Sequence, residues 1–103
     1  MANYEWHEIT VDLKGKHQLH MRPAQRIVQT SSKYRLTEVR AVKDKTDFNA
    51  KSILDMTELP GRMLPYTEKG DYSFTFKARG PDAEVVLKDL SALVERHFDM
   101  EDD

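Results

Sequence analysis

His20 and Arg22 are the residues of this chain whose types and spacing could do chemistry. They stand in Leu19-His20-Met21-Arg22-Pro23-Ala24, directly ahead of an amphipathic stretch that runs to Tyr34. Imidazole, with an ordinary pKa of ~6.5, offers a neutral nucleophile near neutral pH. The first amides of a helix have no partner inside it and carry the positive end of its dipole. An arginine two residues on adds a charge-assisted, forked donor. Such a group is suited to a phosphoryl anion, with the histidine accepting it and the amides and guanidinium holding its oxygens. A histidine before a helix is by itself more often structural, so the rest of the chain has to decide. His17 lies three residues earlier, but no third ligand or carboxylate follows at believable spacing, so no metal site is expected. His7 and His97 read as structural.

The elements that must position these residues follow from periodicity. Ile9-Thr10-Val11-Asp12-Leu13 alternates as a half-buried strand, and Lys14 to Gln18 reads as a loop. Pro23 suits the first turn of a helix and keeps Arg22 out of the helical region. The helix is therefore predicted to begin near 22–23, with His20 and Met21 just outside it and Ala24, Ile27, Val28 and Ser31 facing the core. Strands are predicted over 36–42, 46–49 and 72–78, with a turn at Lys43-Asp44-Lys45. Ser52-Ile53-Leu54-Asp55 matches a capping box and predicts a short helix to about Glu58. Pro60-Gly61-Arg62-Met63-Leu64-Pro65 reads as a loop by its breakers. Gly80-Pro81-Asp82 opens a last helix, whose stripe is Ala83, Val86, Leu87, Leu90, Leu93, Val94 and His97. The fold class is α+β: an open-faced β-sandwich, its four-stranded antiparallel sheet covered on one face by two longer helices and one short helix.

Composition narrows the function. With 103 residues and 39% hydrophobic content, one domain over residues 1–98 is expected, followed by an acidic tail at 99–103 expected to be disordered. A domain of this size more often docks on something larger than builds a deep cleft. There is no cysteine, which excludes disulfides and thiolate metal sites and suits a reducing compartment. No apolar run reaches the ~18 residues of a membrane span, and the N-terminal residues lack the pattern of a signal peptide. A cytoplasmic protein with no membrane insertion is expected. The net charge is −2, and setting aside the four acids of Asp99–Asp103 leaves 14 acids against 16 bases. Neither balance suggests nucleic acid, although Lys14, Lys16, Arg22 and Arg26 cluster around His20.

Three segments, in order and on the expected elements, resemble the HPr family, the histidine-containing phosphocarriers of the bacterial phosphoenolpyruvate-dependent sugar phosphotransferase system. Leu19-His20-Met21-Arg22-Pro23-Ala24 is similar to that family's phosphorylation motif, Gly-Leu-His-x-Arg-Pro-Ala. Val28 to Tyr34 resembles the end of its first helix, and Asn49-Ala50-Lys51-Ser52-Ile53-Leu54 its regulatory serine segment. The likeness covers roughly residues 9 to 97. It implies a carrier, not an enzyme and without a cofactor. His20 would accept a phosphoryl group on Nδ1 from phospho-enzyme I and pass it to the IIA component of a sugar permease, with Arg22 holding the phosphate. Ser52 would be the target of HPr kinase/phosphorylase. Met21, Ile53, Leu54 and Met56 would form an apolar docking patch flanked by Arg22, Arg26 and Lys51. The expected state is a monomer.

The chain departs from the family in four places. Gln18 replaces a usual glycine. Asp55 stands where glycine is common and sets an acid one turn from Ser52, against easy phosphorylation there. Thr57 falls where a docking methionine is often found, and Pro60 to Glu68 carries about six extra residues. Two alternatives follow. One is a regulatory module on the same fold, in a nitrogen-type or incomplete branch without sugar flux. The other is a small nucleic-acid-binding domain, which would need aromatic residues on an exposed sheet face; Phe74 and Phe76 are expected in the core instead.

Overall fold

Alternation along the last strand sets the two faces of the sheet. In the computed structural model, which describes residues 4–13 and 21–99, Phe74, Phe76 and Ala78 point inward from β4 (Ser73–Arg79), while Thr75, Lys77 and Arg79 point outward. The two phenylalanine rings meet edge to face with centroids 4.9 Å apart, a favoured aromatic geometry. They therefore belong to the core, and the aromatic platform that nucleic-acid binding would need is not built from them.

Strands β1 (His7–Asp12), β2 (Glu38–Lys43) and β3 (Thr46–Asn49) complete an antiparallel sheet in the order β1-β4-β2-β3. Ile9 lies opposite Phe76, and Phe76 opposite Ala41, so one apolar row crosses three strands. The inner face is covered by α2 (Ile53–Thr67) and α3 (Ala83–Glu95). Helix α1 (Met21–Ser32) packs against both of them. The predicted face of α1 is inward: Ala24, Ile27 and Ser31 are fully buried and Val28 partly so. The predicted stripe of α3 is likewise buried from Ala83 to Val94. His97 lies beyond α3, in a short turn over His97–Asp99.

Two expectations are corrected. Helix α1 starts at Met21, not 22–23; the residue before a proline is biased away from the helical region, not barred from it. The middle helix is the longest of the three, with 15 residues, and runs through Pro60, Gly61 and Pro65 to Thr67. The segment read as a loop is thus helical. Each interior proline removes a hydrogen bond and costs about 3 kcal/mol. Against this, Met56, Leu59 and Met63 recur at helical spacing and are essentially inaccessible to solvent, each contributing about 1.5–3 kcal/mol on burial. Burial on one stripe offsets the breakers on the others.

The far end of α2 is held by Lys43. Its buried ammonium donates to the Ser73 carbonyl (2.6 Å) and to Asp71 (3.1 Å), and lies 4.5 Å from the centre of the Tyr66 ring. The hydroxyl and amide of Ser73 and then Lys43 stabilise the Asp71 carboxylate, lowering its pKa from 3.8 to about 2. A carboxylate whose pKa is depressed in the folded state stabilises the fold above its unfolded pKa and loses that effect as pH falls. Acid unfolding of the parent chain should therefore carry a contribution from this group between pH 4 and 2, which Asp71→Asn removes. Denaturant titrations at stepped pH would show it, and identical pH slopes for the two chains would refute the assignment.

Gly80 fixes the start of α3. Its φ of +144° is a glycine conformation, and a Cβ there would fall 2.6 Å from Thr37 Cα. This close approach brings the Asp82 amide to the Thr37 hydroxyl, 3.0 Å away, and places α3 beside the chain that leaves α1.

Candidate functional site

The start of α1 is anchored to the core by one face and turns the other outward. Pro23, Ala24 and Ile27 are buried, while Arg22 and Gln25 point to solvent. Pro23 has no N–H, so the amides without an intrahelical acceptor belong to Met21, Arg22 and Ala24. The first turn of α1 contains no acid, so no carboxylate within that turn competes for them. An exposed guanidinium therefore stands beside amides that have no acceptor within the helix, at the positive end of a 12-residue helix. His20 immediately precedes this turn and lies outside the described residues, as do His17, Gln18, Lys14, Lys16 and the Met21 side chain.

The start of α2 is capped as predicted. The Ser52 hydroxyl accepts from the Asp55 amide at 3.2 Å, a cap worth about 0.5–2 kcal/mol. The Asp55 carboxylate accepts from the Asn49 amide at 2.8 Å and so braces the turn that enters α2. Of the apolar docking residues named from sequence, Ile53 and Leu54 are exposed, at 41% and 66%. Met56 is not, being fully buried. Along a helix Met56 shares its face with Leu59 and Met63 and lies opposite Leu54, so it packs the core and cannot meet a partner. Lys51 is also less free than a flanking cation: its ammonium donates to the Tyr34 carbonyl at 2.6 Å, and burial lowers its pKa. That bond ties the entry of α2 to the exit of α1. Thr57 turns its hydroxyl back to the Leu54 carbonyl. Arg26, one turn beyond Arg22, is half-buried.

Two features were missed from sequence. Leu64, in the second half of α2, is 52% exposed; it was hidden by reading 60–65 as a loop, and the signal for it was Leu59 and Met63 following Met56 at spacings of three and seven. The Tyr34 hydroxyl donates to the Asp89 carboxylate, joining the exit of α1 to α3, and this bond raises the tyrosine pKa. No local pattern links residues 55 apart.

An open-faced α+β sandwich with an exposed arginine in a helix first turn that holds no acid is a scaffold suited to holding an anion. The family model for the PTS HPr component phosphorylation site matches residues 7–96, and the chain belongs to that family of phosphocarrier proteins. Solved structures agree. An HPr from Thermoanaerobacter tengcongensis is 34% identical with a TM-score of 0.74, over 92% of this chain and 98% of that one. The phosphocarrier protein HPr of Bacillus anthracis is 27% identical with a TM-score of 0.67, over 84% and 94%. The Bacillus subtilis protein Crh, described as a swapped dimer, is 31% identical with a TM-score of 0.61, over 79% and 84%. No curated protein gives a significant match. No helix among the described residues is long and apolar enough to cross a membrane.

Proposed function

We propose that this chain is a phosphoryl relay that accepts the group on His20 from phospho-enzyme I and passes it to IIA components of sugar permeases. The observation that supports the reading is the start of α1, where exposed Arg22 and amides without an intrahelical acceptor follow immediately after His20 in the chain. A relay bond must be easy to make and to break. A helix start offers an exposed anion about 0.3–1 kcal/mol, and a hydrogen bond from a charged donor about 1.5–3 kcal/mol. Together they orient a phosphoryl group without trapping it.

Exposed Ile53 and Leu54 on α2, and Arg22 and Arg26 on the helix α1 that packs against it, offer the apolar and positive groups that acidic partner faces require. In this reading the protein acts in the cytoplasm as a monomer and is a substrate of other enzymes, not a catalyst. Phosphoenolpyruvate with enzyme I is expected to load the chain with one acid-labile phosphoryl group, which added IIA then removes. A chain that takes no phosphate from any of a panel of enzyme I proteins would sink the proposal. Phosphate taken up but accepted by no IIA would favour the regulatory module, without sugar flux.

A further inference from the structure

The outer edge of β1 carries backbone groups with no strand to meet. Leu13 donates its amide to the carbonyl of Tyr72, the residue opposite it, at 3.0 Å. Along an antiparallel pair such bonded positions alternate, so Val11, Ile9 and His7 also turn their amides and carbonyls to β4. Glu8 and Thr10 turn theirs the other way. Strand β1 ends the sheet order, and no described strand lies on that side. An edge of this kind is a template for a further strand.

The space beside the edge decides what kind of strand fits. Helix α3 runs along it. Glu84 comes within 3.8 Å of His7 at one end. At the other, Ser91, Val94 and Glu95 face Thr10, Val11 and Asp12 across a cleft of about 110 Å³. That is room for a side chain, whereas small-molecule pockets span about 300–1,000 Å³. Acids dominate the edge: Glu8 and Asp12 on the strand, Glu84 and Glu95 on the helix. Glu8 and Glu95 make no ion pair among the described residues. Of the cations nearby, His7 faces Glu84, and Lys88 follows Glu84 by one turn of α3. Lys77, opposite Glu8 on β4, lies 4.8 Å from the centre of the Trp6 ring. A second copy of the chain would bring the same acids to these, so a basic strand is the better complement.

We propose that an extended segment of a partner protein, alternating lysine or arginine with small apolar residues, adds to this edge as an antiparallel fifth strand. Its basic side chains lie on the outer face of the sheet, across from Glu8 and Asp12. Its apolar ones turn inward, over the cleft between Val11 and Val94. Opposed residues of an antiparallel pair share a face and can bond to each other. The basic residues are therefore the ones whose amides and carbonyls meet Glu8 and Thr10. Strand addition here does not rest on the phosphoryl relay.

The probe is an octapeptide of alternating lysine and valine, acetylated and amidated, titrated into the full chain and followed by heteronuclear NMR. Bound peptide should shift the Glu8 and Thr10 amides and slow their exchange with solvent. Ile9 and Val11, already bonded to β4, should keep their exchange rates. Methylating the lysine backbone nitrogens should weaken binding about tenfold or more, as expected for losing several hydrogen bonds. Methylating the valine nitrogens, which face away from β1, should leave binding nearly intact. Glu8 and Glu95 are exposed, so Glu8→Gln/Glu95→Gln keeps the fold. It should weaken binding about two- to fivefold, the size expected of exposed ion pairs. Unchanged exchange at Glu8 and Thr10, or equal losses from the two methylations, would overturn strand addition. Undiminished affinity in the variant, or for a peptide of alternating glutamate and valine, would overturn the basic partner. Slowed exchange at those two amides in the free chain, growing with its own concentration, would give the edge to a second copy instead.

Discussion

His20→Ala is expected to abolish acid-labile labelling by phosphoenolpyruvate and enzyme I, and Arg22→Gln to slow it about ten- to a hundredfold. The first expectation rests on chemistry: the imidazole is the group that forms the carrier bond, and alanine offers no substitute. The second rests on a magnitude. A hydrogen bond to a charged partner is worth about 1.5–3 kcal/mol, and each 1.4 kcal/mol is a factor of about ten. Arg22 is exposed and takes no part in the core, so Arg22→Gln should leave thermal unfolding and circular dichroism unchanged. This separates a phosphate-binding role from a structural one. Arg22→Lys keeps the charge but loses the fork, and is expected to fall between parent and glutamine variant. Labelling that survives His20→Ala would move the acceptor elsewhere; full labelling rates in Arg22→Gln would leave the anion to the helix amides alone.

The parts of this site legible in the sequence are those specified locally. Pro23 marks a first helical turn because of its own ring, and Ser52 caps α2 through an amide three residues away. The Ser73–Arg79 strand is readable because apolar and polar residues alternate over one face already chosen by Phe74 and Phe76. What could not be read is specified at a distance. Lys51 looks like a free cation until the exit of α1 folds against it. Met56 looks like a neighbour of Leu54 until the direction of α2 puts them on opposite sides. The Tyr34–Asp89 bond, which ties the exit of α1 to α3, exists only in the folded chain.

The length of α2 is the point on which local and tertiary signals conflict most, and Met63→Ala decides between them. If residues 60–65 were a surface loop, truncating Met63 would cost about 0.5 kcal/mol or less, as surface substitutions do. In the helix observed here Met63 is 1% exposed, packed in the same core as Met56 and Leu59. Truncation of a buried methionine costs about 2–5 kcal/mol. Against a total stability of about 5–15 kcal/mol for a domain, that is a large fraction. The expected result is a clear drop in the urea midpoint with an unchanged slope, since the denatured state is not altered. Leu64→Ala supplies the contrast, because the adjacent side chain is half-exposed and its loss should be nearly silent in the same titration. Equal effects of the two substitutions would mean that the second half of α2 does not present separate inner and outer faces. A large effect at 63 with little at 64 would show that two prolines and a glycine yield to one buried stripe.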